Sequence, residues 1–323
     1  MFKIAKPFFI KCETPLHAGS GTELGIVDMP IQREKHTSYP KIEGSTVKGC
    51  MRAEFNNRVD KKQDNDKNTN PIDLAFGPDK SDGHAGALGF TDARLLLFPI
   101  KSMKGIFAWI TCKSVLERFE KDLILCGESI ENLDLRYITN KEGICTTTSN
   151  SSAEIKSSNT SATSKIALEE YTFDVDKHNC DRIADFIGKY IGEYERLKEK
   201  LVVLSDDDFK DFVNLSTEVI TRTKINPDSG TVKNGALFTE EYLPCETIMY
   251  SLTLAAPIFN SQKGRFEVEN TEINKEYLEA EKVIKFFQDN KPEVMQIGGN
   301  ETIGKGIVTI IMKKEDDDKQ CQK

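Results

Sequence analysis

The chain has 323 residues, and its 44 Lys and Arg against 52 Asp and Glu give a net charge of -8. With 18 Phe, 8 Tyr and 38% hydrophobic residues, a chain that is disordered throughout is excluded. The apolar runs, such as 95–100, are much shorter than the roughly 20 residues that a membrane-spanning helix needs. At first sight the acidic total argues against a nucleic-acid partner.

The charge is unevenly distributed along the chain. Residues 1–58 hold nine basic and six acidic side chains, a net charge of +3, so the remaining 265 residues carry -11. The N-terminal segment is therefore a basic island in an acidic protein, and it is where we expect RNA to bind if RNA is a partner.

The eight cysteines have no CxxC pair, which excludes a zinc ribbon and gives no disulfide framework. We therefore expect free thiols, several of them buried, at Cys50, Cys112 and Cys126 among others. Free thiols fit a reducing compartment, and we expect a cytoplasmic protein.

Apolar residues over 2–12 predict a first strand, and a loop of about thirty residues rich in Gly, Pro, Thr and Ser follows it. An apolar stripe through Val47, Met51 and Phe55 predicts a helix that starts at Ser45, with the Ser45 hydroxyl as its cap. Residues 86–98 and 105–113 are predicted strands, and 115–126 is a predicted helix.

Further along, 14 of the 19 residues of 146–164 are Ser, Thr or Asn, which predicts a mobile surface insertion that contributes no core. Residues 178–201 have the apolar period of one amphipathic helix, and 217–237 read as a hairpin around the turn NPDSG. A strand over 246–258, a helix over 274–290 and a last strand at 307–312 complete the pattern.

The order of these elements predicts an α+β fold with a ferredoxin-like (RRM-type) βαββαβ core in one domain, 1–323. The large insertions are predicted at about 60–85 (a polar loop), 114–215 (helical) and 217–242 (a protruding hairpin).

Asp28 is the one carboxylate in the apolar stretch 26–31 of the long loop, with His17 and Arg33 nearby in sequence. Such a carboxylate could bind a divalent cation or take a proton from a ribose hydroxyl, or it could be a turn residue before proline. His17 could act as an acid, a base or a phosphate contact, or hydrogen-bond its own loop.

Three other segments allow both an RNA-binding and a purely structural interpretation. Lys48 and Arg52 share a face of the first helix, where they could bind phosphate or simply face solvent. The loop GGNETIGKG resembles a P-loop but lacks its final Ser/Thr and leads into a strand, so it is an anion contact or an ordinary turn. The hairpin could wedge between nucleotides or pack on the domain.

Four segments together resemble one family: HAGSGTELGIVDMPIQREKHTSYPKIEGSTVKGCMR at 17–52, LLLFPIKSMKGIFAWITC at 95–112, NGALFTEEYLP at 234–244 and QIGGNETIGKGIV at 296–308. They are similar to the backbone subunits of type III-B CRISPR (Cmr) effector complexes, the fourth-subunit family of the RAMP superfamily. The matches cover most of the chain apart from the two polar insertions.

The resemblance implies a palm with a thumb hairpin, copies of which stack along the CRISPR RNA, and metal-dependent cutting of target RNA at regular intervals. The expected partners are CRISPR RNA, single-stranded target RNA, further copies of the chain and other Cmr subunits. The expected cofactor is a divalent ion, Mg or Mn. Asp28 would be the key catalytic and metal-binding residue, and target-RNA cutting would start from the ribose 2′-OH.

The resemblance also suggests roles for other residues. His17 would be a second catalytic residue, with Glu240 and Tyr242 in support. RNA contacts are expected from side chains or backbone of the loop, the first helix, the hairpin and the Gly-rich turn, namely Arg33, Lys41, Ser45, Lys48, Arg52, Arg222, Lys224, Gly298, Gly299 and Asn300.

Two rival hypotheses belong to other classes. One is a non-catalytic backbone that binds CRISPR RNA while a partner cuts. The other is a guide-processing ribonuclease with His-based chemistry, which the absence of a plausible His pair disfavours.

Overall fold

The structure is a computed structural model that describes residues 2–22, 25–59, 70–78, 83–131, 133–156, 163–268 and 274–313, with the side chains of 233–236 left out. Most of the predicted polar loop at 60–85, the centre of the Ser/Thr-rich segment and the charged C-terminal residues lie outside these ranges. Across the described residues, no helix combines the length and apolar character that crossing a membrane requires.

The described chain forms seven α-helices and fourteen strands. The helices are α1 Gly44–Arg58, α2 Pro71–Phe76, α3 Lys113–Leu125, α4 Asp181–Ile191, α5 Tyr194–Lys200, α6 Asp206–Leu215 and α7 Lys275–Asn290. The strands are β1 Ile4–Cys12, β2 Lys41–Ile42, β3 Leu88–Phe90, β4 Ala93–Lys101, β5 Phe107–Cys112, β6 Ile144–Thr147, β7 Lys165–Leu168, β8 Tyr171–Asn179, β9 Leu201–Leu204, β10 Glu218–Ile225, β11 Val232–Tyr242, β12 Ile248–Ala255, β13 Val294–Gln296 and β14 Ile307–Ile311.

Twelve of these strands form one mixed sheet in the order β13-β14-β1-β12-β4-β5-β9-β6-β8-β7, with β2 beside β4 and β3 beside β12. Strand β1 pairs antiparallel with β12 on one side and with β14 on the other. Helix α1 follows β1 in the chain, and α7 follows β12. The predicted mixed α+β class is confirmed.

Strand β1 is buried on both faces. Its successive side chains point to opposite sides of the sheet, and helices cover each side. Phe8 contacts Phe287 of α7 with ring centroids 6.0 Å apart, and Phe9 contacts Phe119 of α3 at 5.9 Å. Phe55 of α1 stacks on Phe287 at 5.9 Å, so α1 and α7 cover one face while α3 covers the other. This explains why 7–12 read as a continuous buried run.

The start of α1 differs from the prediction. The helix begins at Gly44 and not at Ser45, and Ser45 is exposed and is not the cap. Asp92 accepts a hydrogen bond from the Gly44 N–H at 2.8 Å, so the residue that caps the helix comes from a distant strand connection. A Cβ atom at Gly44 would lie 2.6 Å from the Phe90 carbonyl oxygen, which explains why glycine occupies this position.

The prediction that 146–164 contributes no core is wrong for its first part. Thr146 and Thr147 end strand β6, and these two residues and Thr148 are no more than 3% exposed. Threonine is β-branched and suits a strand, and the Thr147 hydroxyl donates to the Leu201 carbonyl at 3.2 Å. A run of hydroxyl residues therefore forms part of the sheet.

The 114–215 insertion is mixed and not helical as predicted. Strands β6, β7, β8 and β9 extend the main sheet beyond β5, and β9 pairs parallel with β5. The predicted single helix at 178–201 is two helices, because Gly192 adopts a φ of 74° between α4 and α5. A left-handed residue ends an α-helix, and glycine adopts that conformation at little cost.

The predicted hairpin is present as a separate two-stranded sheet of β10 and β11. Strand β11 continues to Tyr242, the predicted end of the 217–242 hairpin, and therefore includes most of the TEEYLP motif. We call the C-terminal end of this strand, residues 239–242, the hairpin base, and it contacts several of the predicted site residues.

Candidate functional site

The hairpin base joins the long loop to the domain. The Met29 N–H donates to the Thr239 carbonyl at 3.0 Å, and the Glu241 N–H donates to the Met29 carbonyl at 3.0 Å. Leu16 and Leu243 exchange two backbone hydrogen bonds just below. The part of the loop that carries Asp28 is thus attached to β11 as a short parallel segment.

Asp28 is exposed at this junction. Its Oδ2 accepts hydrogen bonds from the Thr239 N–H at 2.8 Å and from the Thr239 hydroxyl at 2.9 Å. These two hydrogen bonds lower the pKa of Asp28, because they stabilise the charged form. The site therefore presents an ionised carboxylate to solvent at the foot of the hairpin.

His17 is 6% exposed, and its Nδ1 donates to the Glu241 carbonyl at 2.7 Å. Its ring packs against the Tyr242 ring at 5.5 Å, and its carbonyl accepts a hydrogen bond from the Gly299 N–H at 2.9 Å. Its Nε2 faces Gly19, where a Cβ atom would lie 2.7 Å away. The geometry suits a histidine that ties the loop, the hairpin base and the Gly-rich turn together.

Glu240 and Tyr242 lie on the other face of β11 from Thr239 and Glu241. The Tyr242 hydroxyl donates to Glu240 at 2.6 Å, Arg222 forms an ion pair with Glu240, and the Asn300 amide donates to the Tyr242 oxygen at 3.0 Å. Burial opposes the charge of Glu240, but the hydrogen bonds from Tyr242 and Asn300 and the charge of Arg222 together lower its pKa. Lys305 lies over the Tyr242 ring at 5.1 Å.

Glu241 was not predicted as a site residue, yet its side chain has three partners at the hairpin base. It is 5% exposed and forms an ion pair with Arg33. It also accepts hydrogen bonds from the Thr217 hydroxyl at 2.7 Å and from the Ile31 N–H at 3.0 Å. Arg33 donates in addition to the Val213 carbonyl at the end of α6. Successive side chains of a strand point to opposite faces, so the hairpin predicted over 217–242 already implied that Glu241 and Glu240 lie on different faces.

Gly298 allows the Gly-rich turn to approach His17. Its φ is 86°, and a Cβ atom there would lie 2.3 Å from the His17 carbonyl oxygen. Gly298→Ala is therefore expected to lower the free energy of unfolding by about 2 kcal/mol or more, from left-handed strain and a backbone clash. Urea denaturation of the full chain measures this.

Gly304→Ala is the matched control, since Gly304 has a φ of 74° but no atom within 4 Å of its Cβ position. It carries the strain without the clash, and it should cost only about 1 kcal/mol. Equal losses in the two variants would contradict the close approach to His17.

The predicted basic island is mostly neutralised. Seven of its nine basic side chains form ion pairs with acidic residues: Lys3, Lys6, Lys11, Arg33, Lys41, Arg52 and Arg58. Summing charge over a stretch of sequence missed these partners, because most of them, such as Asp73 for Arg52 and Glu276 for Lys3, lie beyond residue 58.

The RNA-binding candidates of α1 are only partly available. Lys48 and Arg52 share a face, as predicted, but the Lys48 ammonium donates to the Leu88 carbonyl at 3.1 Å and Arg52 donates to Asp73 at 2.9 Å. Burial lowers the pKa of Lys48, and the neighbouring Arg52 adds to this. Lys41 bridges Glu43 and Asp92.

The other predicted RNA-binding residues lie on the hairpin and on the Gly-rich turn. Lys224 is exposed on β10, and Gly299 is exposed on the Gly-rich turn. That turn lies beside α1, where a Gly298 backbone hydrogen bond to Cys50 partly offsets the burial that raises the pKa of this thiol. The hairpin base thus contacts the Gly-rich turn through Asn300, and that turn contacts α1, while Arg33 is partly buried against Glu241.

Among the described cysteines all are free thiols, as predicted, with Cys112 buried and Cys50 and Cys126 half-buried. No group of three His, Cys, Asp or Glu side chains among the described residues is arranged to hold a metal ion. A carboxylate outside such a group can still bind Mg²⁺, which is often held by one or two carboxylates together with water and substrate phosphates.

A family model described as the RAMP superfamily matches residues 9–309. A relative from Pyrococcus furiosus named "CRISPR system Cmr endoribonuclease Cmr4" is 37% identical over 309 residues, covering 93% of each chain. This chain belongs to the Cmr4 family of the RAMP superfamily. The resemblance to the fourth Cmr subunit that the sequence motifs indicated is confirmed.

Two solved structures share this fold. A crystal structure of oligomeric Cmr4 from Pyrococcus furiosus aligns with a TM-score of 0.67 at 27% identity, over 96% of this chain and 98% of that chain. A chain of a cryo-EM structure described as the Type III-B Cmr-beta bound to cognate target RNA aligns with a TM-score of 0.69 at 23% identity, over 96% and 97%. The large mixed sheet is thus the fold of this family.

Proposed function

We propose that this chain is the RNA-binding backbone subunit of a type III-B CRISPR effector complex, and that it cuts target RNA paired with the CRISPR RNA. The observation that carries the proposal is the ionised, exposed Asp28 carboxylate fixed at the base of a protruding hairpin. Its relative at 37% identity is named an endoribonuclease. Further copies of the chain and other Cmr subunits would be its protein partners.

In this proposal the RNA binds to a ferredoxin-like palm with the β10–β11 hairpin as its thumb. The order strand–helix–strand–strand–helix–strand is supported by β1, α1, β4, β12, α7 and β14, whose four strands are neighbours in the sheet as β14-β1-β12-β4. The hairpin forms its own sheet, and its exposed side chains include Lys224 and Leu237, which is 67% exposed. Basic and apolar groups on a protruding element suit the displacement of a nucleotide.

The reaction would be attack of a ribose 2′-OH on the adjacent phosphorus. The bond to the 5′ oxygen of the next nucleotide breaks, leaving a cyclic phosphate on one product and a hydroxyl on the other. Asp28 would accept the 2′-OH proton or orient that hydroxyl, and a nucleotide displaced by the hairpin would bring the attacking and leaving oxygens into line. Sequence choice would come from base pairing with the guide.

His17 and the Glu240–Tyr242 pair would act by position. His17 is buried and donates to the Glu241 carbonyl, so it would fix the hairpin base to which Asp28 is attached. Glu240 and Tyr242 would anchor Arg222 of the hairpin. These contacts support a site whose catalytic geometry depends on several buried side chains and one exposed carboxylate.

A divalent ion, Mg²⁺ or Mn²⁺, would offset the charge that develops on the phosphate when it is bound. Asp28 would hold it, with the remaining ligands from RNA and water. A cytoplasmic location is supported by the free thiols, which a reducing compartment preserves.

Incubating the reconstituted complex with labelled complementary RNA tests the proposal. With Mg²⁺ we expect a ladder of evenly spaced products. An excess of EDTA should remove the ladder, and added Mn²⁺ or Mg²⁺ should restore it. A ladder that persists in EDTA would contradict the requirement for a divalent ion. RNA that is bound but never cut would favour the hypothesis of a non-catalytic backbone subunit.

A further inference from the structure

Thr239 is the residue through which Asp28 is attached to the hairpin. Its hydroxyl donates to Asp28 Oδ2 at 2.9 Å and accepts from the Asp28 N–H at 2.9 Å. Its own N–H donates to the same oxygen at 2.8 Å. One threonine thus makes three hydrogen bonds to one aspartate, and the two residues are 211 positions apart in the chain.

These bonds determine which carboxylate oxygen is available. Both Thr239 donors reach Oδ2, so they leave Oδ1 open to a ligand or a substrate proton. The Asp28 side chain has two rotatable bonds and is exposed, so the two Thr239 donors restrict it to fewer rotamers. Hydrogen bonds to a charged acceptor are stronger than those between neutral groups, which makes Thr239 an effective anchor.

The backbone adds to this attachment. Met29 pairs with β11 on either side of Glu240, so the loop segment that contains Asp28 moves with the strand. We propose that Thr239 is a positioning residue that fixes the Asp28 carboxylate to β11, so that the hairpin which engages the RNA also sets the place of the cutting group. This inference rests on the proposed role of Asp28 in cutting.

Thr239→Val tests it, because valine keeps the shape and the backbone N–H but removes the hydroxyl. In the reconstituted complex we expect single-turnover cutting to slow by about tenfold or more, the equivalent of one hydrogen bond to a charged group. Affinity for uncleavable target RNA should stay unchanged. Thr239→Ser, which restores the hydroxyl, should recover most of the rate, whereas a purely structural role would follow side-chain volume instead.

Thr309→Val is the matched control, since the Thr309 hydroxyl donates to the Glu13 carboxylate at 2.7 Å and Thr309 lies on β14, outside the hairpin base. It should leave the cutting rate unchanged. The double variant Asp28→Ala/Thr239→Val should be no slower than Asp28→Ala alone, because the threonine acts through the aspartate.

Two failures are distinguishable. If Asp28→Ala abolishes cutting but Thr239→Val cuts at the normal rate, the positioning role is wrong and the proposed function survives. If Asp28→Ala itself cuts normally, the proposed function fails. Slow cutting by both Thr239→Val and Thr239→Ser, together with weaker RNA binding, would also overturn the positioning role.

Discussion

Asp28→Asn is expected to slow target cutting by about a thousandfold or more while the complex still assembles and binds RNA. Asparagine has the size of aspartate and can still accept a hydrogen bond from Thr239, so the loop should keep its place on β11. It has no negative charge and cannot take up a proton at neutral pH. Single-turnover cutting of labelled target by complexes with matched RNA affinity measures the loss.

Asp185→Asn is the control for this experiment. Asp185 lies on α4, where its carboxylate pairs with Lys198 at 3.2 Å and its side chain is 50% exposed. Removing that charge should leave cutting unchanged. A similar loss in both variants would indicate a general effect of charge, and a normal rate for Asp28→Asn would contradict its catalytic role.

The pH dependence of cutting follows from the pKa of Asp28. Because the Thr239 hydrogen bonds lower this pKa, protonation of Asp28 should not limit cutting near neutral pH.

The elements that were predicted correctly have a strong local signal. The apolar stripe of α1, the period of α7 and the turn residues between β10 and β11 each specify one structure over a short stretch. The failures had a different cause. Thr146 to Thr148 looked like a surface insertion by composition, but β-branched side chains fit a strand, and the hydroxyls of Thr147 and Thr148 donate to carbonyls of the segment 198–201. Composition alone does not reveal partners that lie this far along the chain.

The candidate site shows the same limit, since its contacts also join residues that are distant in the chain. Asp28 and His17 could be proposed from the sequence, but their attachment to Thr239 and Glu241 spans more than 200 residues. The basic island is less positive than its sequence indicates, because acids distant in sequence, such as Asp73, pair with its side chains. Local patterns therefore identify candidate residues, while long-range hydrogen bonds determine which of them face solvent and which hold the site together.

Glu241→Gln is expected to lower the free energy of unfolding by about 3 kcal/mol, a large effect for a change of one atom. The Arg33 guanidinium is held among Glu241, the Ser38 carbonyl and the end of α6, with a side chain that is 21% exposed. Without the carboxylate its charge loses its partner while remaining largely out of water. Urea denaturation of the full chain measures the change.

Glu54→Gln provides the comparison, because Glu54 pairs with Arg58 on the surface of α1 with side chains 28% and 47% exposed. An exposed pair at this spacing contributes only about 0.5 kcal/mol, so its loss should be small. Equal losses would mean that burial adds nothing to the Arg33–Glu241 pair. If Glu241→Gln is far more destabilising, it should also slow cutting, since Glu241 accepts the Ile31 N–H and so holds the loop that carries Asp28. Loss of stability and loss of cutting would then have one cause, a loop released from the hairpin base.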